Sequence, residues 1–163
     1  MAEFSFDVVS EFDASELTNA IDQARREVTT RYDFKDTATT FDRTESAIVI
    51  ESASEDRAKA ALQVLREKAV RRQLSTKLFK AQDPQTVGKG RGKIEVLLNA
   101  GIDDDLARDL RKRIVAVSPK LQVRIQGDQL RVVSKDKDTL QLVIKSLREA
   151  EDIPVPLQFI NYR

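Results

Sequence analysis

The sequence predicts an α+β protein of two tandem domains, each running strand, helix, strand, strand, helix, strand. Period-two alternation and helical three-to-four spacing of apolar residues succeed one another twice in the same order. A residue suited to N-capping (Asp13, Ser54, Asp103 or Asp136) precedes each of the four helical stripes. At 163 residues the chain can hold one core or two small ones, and two small ones need a shared interface to bury enough surface.

In the first domain, placed at 1–86, Phe4, Phe6 and Val8 alternate with Ser5, Asp7 and Val9, the pattern of a half-buried strand. Asp13 opens a helix, with Glu16 three residues on as its capping-box partner and Leu17, Ala20, Ile21, Ala24 and Val28 as one apolar stripe ending near Arg31. Thr39 to Phe41 and Ala47 to Ile50 are β-rich runs around a polar turn at 42–46. Ser54 starts a second helix through Ala58, Ala61, Leu62, Leu65 and Ala69, whose last turn carries Lys68, Arg71 and Arg72, favourable for the helix dipole. A short strand at 77–80 and a loop at 81–86 follow.

In the second domain, 87–163, Ile94, Val96 and Leu98 alternate with Lys93, Glu95 and Leu97. Asp103 caps a helix with Leu106, Ala107, Leu110, Ile114 and Val117 inward, stopped by Ser118-Pro119. Leu121, Val123 and Ile125 form a strand whose inward side chains put Gln122, Arg124 and Gln126 on the other face. Gly127-Asp128 is a tight turn, and Leu130 and Val132 return with Arg131 joining the polar face. Asp136 caps the last helix, with Leu140, Val143, Ile144 and Leu147 inward. Pro154 and Pro156 precede a terminal strand at 157–162.

This order is that of a ferredoxin-like βαββαβ domain, twice: a four-stranded antiparallel sheet with two helices on one face. Four helices with one stripe each cover one side of each sheet, so the other sides meet each other, solvent or a ligand.

Composition removes most enzyme classes. There is no Cys and no His, hence no thiolate nucleophile, no imidazole base and no ordinary zinc or haem ligation. The net charge is +1, so attraction to phosphate must be local. No leader-like or membrane-length apolar run occurs, which predicts a cytosolic protein with no membrane partner. Asp103-Asp104-Asp105 suits helix capping better than Mg²⁺ ligation. We expect no enzyme activity, no cofactor and no metal.

Charge is concentrated between Lys68 and Lys93, with eight cations against the single acid Asp83. Within it Gly88-Lys89-Gly90-Arg91-Gly92-Lys93 alternates glycine with cations, a pattern able to approach phosphate. It lacks the spacing of a P-loop, and it reads more readily as a flexible linker between domains. The candidate nucleotide contacts are Lys89, Arg91 and Lys93 for phosphate, with Arg124 and Arg131 for stacking or hydrogen bonding. Removal of both Arg124 and Arg131 is expected to leave thermal stability nearly unchanged. No aromatic residue stands at 129–133, unlike an RRM-type RNA platform.

Four phrases together resemble the YajQ family of bacterial nucleotide-binding proteins. They are the run from Phe4 to Glu11, Arg31-Tyr32-Asp33-Phe34-Lys35, the run from Gln126 to Val132, and the run from Pro156 to Arg163. The resemblance spans the chain. It implies tandem ferredoxin-like domains with exchanged first strands, 4–9 completing the second sheet and 94–98 the first. It also implies a binder of purine nucleotides such as GTP or ATP, of cyclic di-GMP acting through a transcription factor, or of RNA.

Overall fold

The computed structural model describes residues 3–163. Its elements are β1 (Phe4–Val9), α1 (Ala14–Thr30), β2 (Thr40–Arg43), β3 (Ala47–Ser52), α2 (Glu55–Arg71), β4 (Phe79–Ala81), β5 (Gln85–Val87), β6 (Arg91–Leu98), α3 (Asp104–Val117), β7 (Gln122–Gln126), β8 (Gln129–Ser134), α4 (Lys137–Glu149) and β9 (Gln158–Ile160). Two compact units result. A terminal unit joins the segment up to Glu11 with Ala100–Arg163, and a central unit holds Phe12–Asn99. The chain therefore passes between units at 11–12 and 99–100, not at residue 86.

The terminal sheet has the order β7-β8-β1-β9, all antiparallel, with Asp7 in register with both Arg131 and Ile160. Phe6, Val8, Leu130, Val132 and Phe159 share a core with Ala107, Leu110 and Ile114 of α3 and Leu140, Val143 and Leu147 of α4. Phe6 meets the Phe159 ring edge-on at 5.9 Å, the quadrupole-favoured arrangement.

The central sheet has the order β2-β3-β6-β4, with β5 also against β6. Phe41, Ile48, Ile50, Ile94 and Val96 are buried on alternate positions of β2, β3 and β6, and Leu17, Ala24, Ala61 and Leu65 are buried on α1 and α2. β1 thus sits between β8 and β9, and β6 between β3 and β4. Each of these central strands runs in the chain into a helix of the other unit.

Several local expectations change. The stretch from Gly88 to Lys93 is ordered structure, not a free linker. Gly88–Gly90 form one 3-10 turn, and Arg91, Gly92 and Lys93 open β6, paired on one side with β3 and on the other with β5. Gly92 is required there. A Cβ would lie 2.2 Å from the Ser54 carbonyl carbon and oxygen and 2.3 Å from the Glu55 nitrogen, where α2 begins. The loop at 81–86 ends in strand β5, and the strand at 77–80 starts at Phe79 after a 3-10 turn. Asp13 does cap α1, accepting from the Ser15 and Glu16 N–H groups. The Glu16 carboxylate turns instead to Asn19 and Arg72. Ile125 is 40% exposed although its register partner Leu130 is fully buried, because β7 is the sheet edge.

Candidate nucleotide sites

The terminal sheet alternates, so core-facing Phe6, Val8, Leu130 and Val132 leave Asp7 and Arg131 on the side away from the helices. Arg131 also stands directly opposite Arg124 on β7. The Asp7 carboxylate is 1% exposed and accepts from Arg131 Nε at 3.0 Å, Arg131 Nη2 at 3.3 Å and Asn161 Nδ2 at 2.8 Å. Asn161 adopts a left-handed backbone, φ 56, a conformation that asparagine tolerates better than most residues. The Arg131 hydrogen bond holds the Asp7 carboxyl below the usual carboxylate range against the opposing effect of burial, and Asn161 adds to it. Arg131 is therefore a fixed guanidinium whose edge is spent on a carboxylate, with its side chain 36% exposed. Arg124 beside it is exposed and enters no ion pair among the described residues. Two cations face each other across one strand pair, a repulsion that Asp7 offsets for one of them and that a bound anion would offset for the other.

Lys89, Arg91 and Lys93 lie in the central unit, on one continuous segment. Lys89 is exposed at φ 63 in the 3-10 turn. Arg91 is engaged: its Nη1 donates to the Thr37 carbonyl at 3.0 Å and its Nη2 to the Ala38 carbonyl at 2.9 Å. Lys93 stands in register with Glu51 on β3 and Gln85 on β5. The structure thus brings Arg124 to Arg131 within the terminal unit and keeps the other three together within the central unit.

Arg91 leads to a segment that sequence reasoning did not single out as a site. After α1 the chain makes a 3-10 turn at Tyr32–Phe34, then a tight turn in which the Thr37 N–H donates to the Phe34 carbonyl at 3.2 Å. Lys35 at φ −61, ψ 132 and Asp36 at φ 60 make this a type II turn. Hydroxyls run in a chain from Thr37 to Thr39 at 2.6 Å and from Thr39 to Ser52 at 2.8 Å, and Arg57 Nη1 donates to the Asp33 carbonyl at 3.1 Å. Arg31 forks onto Asp33 at 3.0 and 2.8 Å and lies 5.3 Å from the centre of the Phe34 ring. Residues 28–32 and 34–39 line a cleft of about 510 Å³. The sequence signal was present: Tyr32 is an aromatic residue between the α1 stripe and the β2 run, with no apolar periodicity to join.

The Asp103 carboxylate accepts from the Leu106 N–H at 2.8 Å, and Asp105 pairs with Arg108 at 3.4 Å, both local helix-end contacts. Among the described residues no three His, Cys, Asp or Glu side chains are grouped to hold a metal ion, and no helix is long and apolar enough to cross a membrane.

The model of the family described as nucleotide-binding protein YajQ-like matches residues 4–163. The chain belongs to the YajQ family. Similar YajQ-type relatives include the nucleotide-binding protein of Chloroflexus aurantiacus, 51% identical over 99% of both chains. That of Synechococcus elongatus is 48% identical over 98% of this chain and 97% of the relative. A third, from Roseiflexus sp., is 49% identical over 99% of each.

Proposed function

We propose that this YajQ-family chain is a cytosolic, non-enzymatic binder of a purine nucleotide or cyclic dinucleotide, held on the Arg124 and Arg131 surface of the terminal unit. One observation carries the reading: a guanidinium fixed by a buried carboxylate stands directly across a strand pair from one with no acidic partner among the described residues. Such a pair offers a flat cationic face for a base and a forked donor for phosphate. The names of the relatives support a nucleotide as ligand. The lack of His and Cys supports binding without turnover. Lys89 and Lys93 are the central unit's candidates for phosphate, while Arg91 shapes the neighbouring loop.

The test is a titration of GTP, ATP and cyclic di-GMP against the parent protein, Arg124→Ala and Arg131→Lys. Arg124→Ala should weaken affinity about tenfold, roughly 1.4 kcal/mol, without a change in melting temperature. Equal affinities in parent and variant would remove this surface from consideration. A second reading, RNA binding along a backbone track, would use the cations between Lys68 and Lys93 other than Lys68, Arg72 and Arg91, which are held by Glu27, Glu16 and the Thr37 and Ala38 carbonyls. A transcription factor as partner is a third, with capture of that partner unaffected by Arg124→Ala as its mark.

A further inference from the structure

We infer that the cleft at the end of α1, in the central unit, is a separate binding site for a planar aromatic phosphate of nucleoside monophosphate size. It shares no residue with the arginine surface, which belongs to the terminal unit, and it does not depend on that surface binding anything.

Strain is the first observation. Asp36 at φ 60 and Ala38 at φ 46 are both left-handed without being glycine, two such residues within three positions. The conformation is unfavourable by about 1 kcal/mol or more for Ala38, and by less for Asp36, since aspartate tolerates the left-handed region better than most residues. The core does not demand them, since of residues 31–39 Phe34 and Thr37 alone are buried. The loop is nevertheless held in that shape by Arg91 on two carbonyls, by Arg57 on a third and by the hydroxyl chain to Ser52. A strained, over-determined rim around a cleft is the arrangement expected where backbone geometry serves a ligand.

The lining supplies the ligand's chemistry. Tyr32 lines the cleft at 87% exposure, a flat aromatic surface on which no ring or guanidinium of the described residues stacks. Lys35 is exposed and enters no ion pair among the described residues, whereas Arg31 is committed to Asp33 and Glu27. Asp36 lines the cleft next to Lys35 and is also exposed, so the Lys35 ammonium and the Tyr32 ring are the lining's groups for one phosphate and one base, with the phosphate on the Lys35 side away from the Asp36 carboxylate. The orientation follows from the helix: the C-terminal turn of α1, whose dipole end is negative, forms the wall at Val28–Thr30, so it repels phosphate and favours the N–H donors of a base edge. Phosphate then lies toward Lys35. The volume, about 510 Å³, lies in the range of small-ligand sites.

The chain has two tyrosines, Tyr32 and Tyr162, so ring-labelled tyrosine gives two assignable sets of NMR signals, with Tyr162→Phe as the assignment control. Addition of GMP should move the Tyr32 ring signals upfield with saturation. Lys35→Gln should raise the midpoint about tenfold, and Arg124→Ala should leave it unchanged. Inorganic phosphate at equal concentration should not reproduce the shift. The inference is overturned by a Tyr32 signal that stays fixed in millimolar GMP, by an unaltered midpoint in Lys35→Gln, by the same shift with phosphate alone, or by loss of the shift in Arg124→Ala. Signals at the parent positions in ligand-free Lys35→Gln report that the loop is folded.

Discussion

Arg131 clasps the carboxylate of Asp7 through two nitrogens, at 3.0 and 3.3 Å, across the central strand pair of the terminal sheet. The carboxylate is buried and the guanidinium is partly in solvent. The two ends of the pair therefore respond differently to mutation.

Asp7→Ala removes the acceptor for both Arg131 and Asn161 and should destabilise the protein by about 1–3 kcal/mol in urea unfolding at neutral pH. The pair also sets a pH dependence. Because the folded-state pKa of Asp7 lies below its ordinary value, its contribution is complete above the usual carboxylate range and is lost as pH falls through the lowered folded value. Glu27, beside Lys68 and Arg31, acts in the same sense. Unfolding midpoints measured from pH 7 to pH 3 should fall less steeply in Asp7→Ala than in the parent.

Arg131→Ala and Arg124→Ala should separate. The first leaves the buried Asp7 carboxylate with the Asn161 amide but without its cation and should lower the melting temperature, against the expectation that removal of both arginines leaves it nearly unchanged. The second deletes an exposed side chain with no ion pair among the described residues and should leave the melting temperature within about 1 °C. Equal losses in scanning calorimetry would contradict the asymmetry.

Gly92→Ala should lower stability by about 3 kcal/mol, because the new methyl group meets backbone atoms of Ser54 and Glu55 that cannot rotate away. Chemical denaturation provides the value. A loss under about 0.5 kcal/mol would mean that α2 and β6 can part at no cost.

Asp36→Gly should raise stability by about 0.5 kcal/mol, since glycine adopts the left-handed corner of the type II turn without strain, partly offset by its greater freedom when unfolded. Asp36→Val should do the opposite, by about 1 kcal/mol or more. Paired urea titrations of the two variants would show whether they move to opposite sides of the parent.

Salt separates a mononucleotide from RNA. Affinity for GTP should fall shallowly between 50 and 200 mM salt, while a track along the Lys68 to Lys93 cations would make affinity for transfer RNA fall by orders of magnitude, roughly 10³-fold for six phosphate contacts. Filter binding at several ionic strengths measures both slopes.

Read by itself, the sequence determined all four helices and their caps, because helix stripes and N-cap residues act within a few positions of one another: Asp13, Ser54, Asp103 and Asp136 each cap as expected. It also determined the ferredoxin-like class and, through phrases at both ends and the middle, the YajQ family. Tertiary structure decided what no local pattern encodes. That Gly92 belongs to a strand against the start of α2, that Arg91 is spent on the carbonyls of Thr37 and Ala38, and that Arg131 is tied to Asp7 are contacts between residues 37 to 124 positions apart. Periodicity tells which way a side chain points from its own backbone; what waits there is set by which distant strand folding brings alongside.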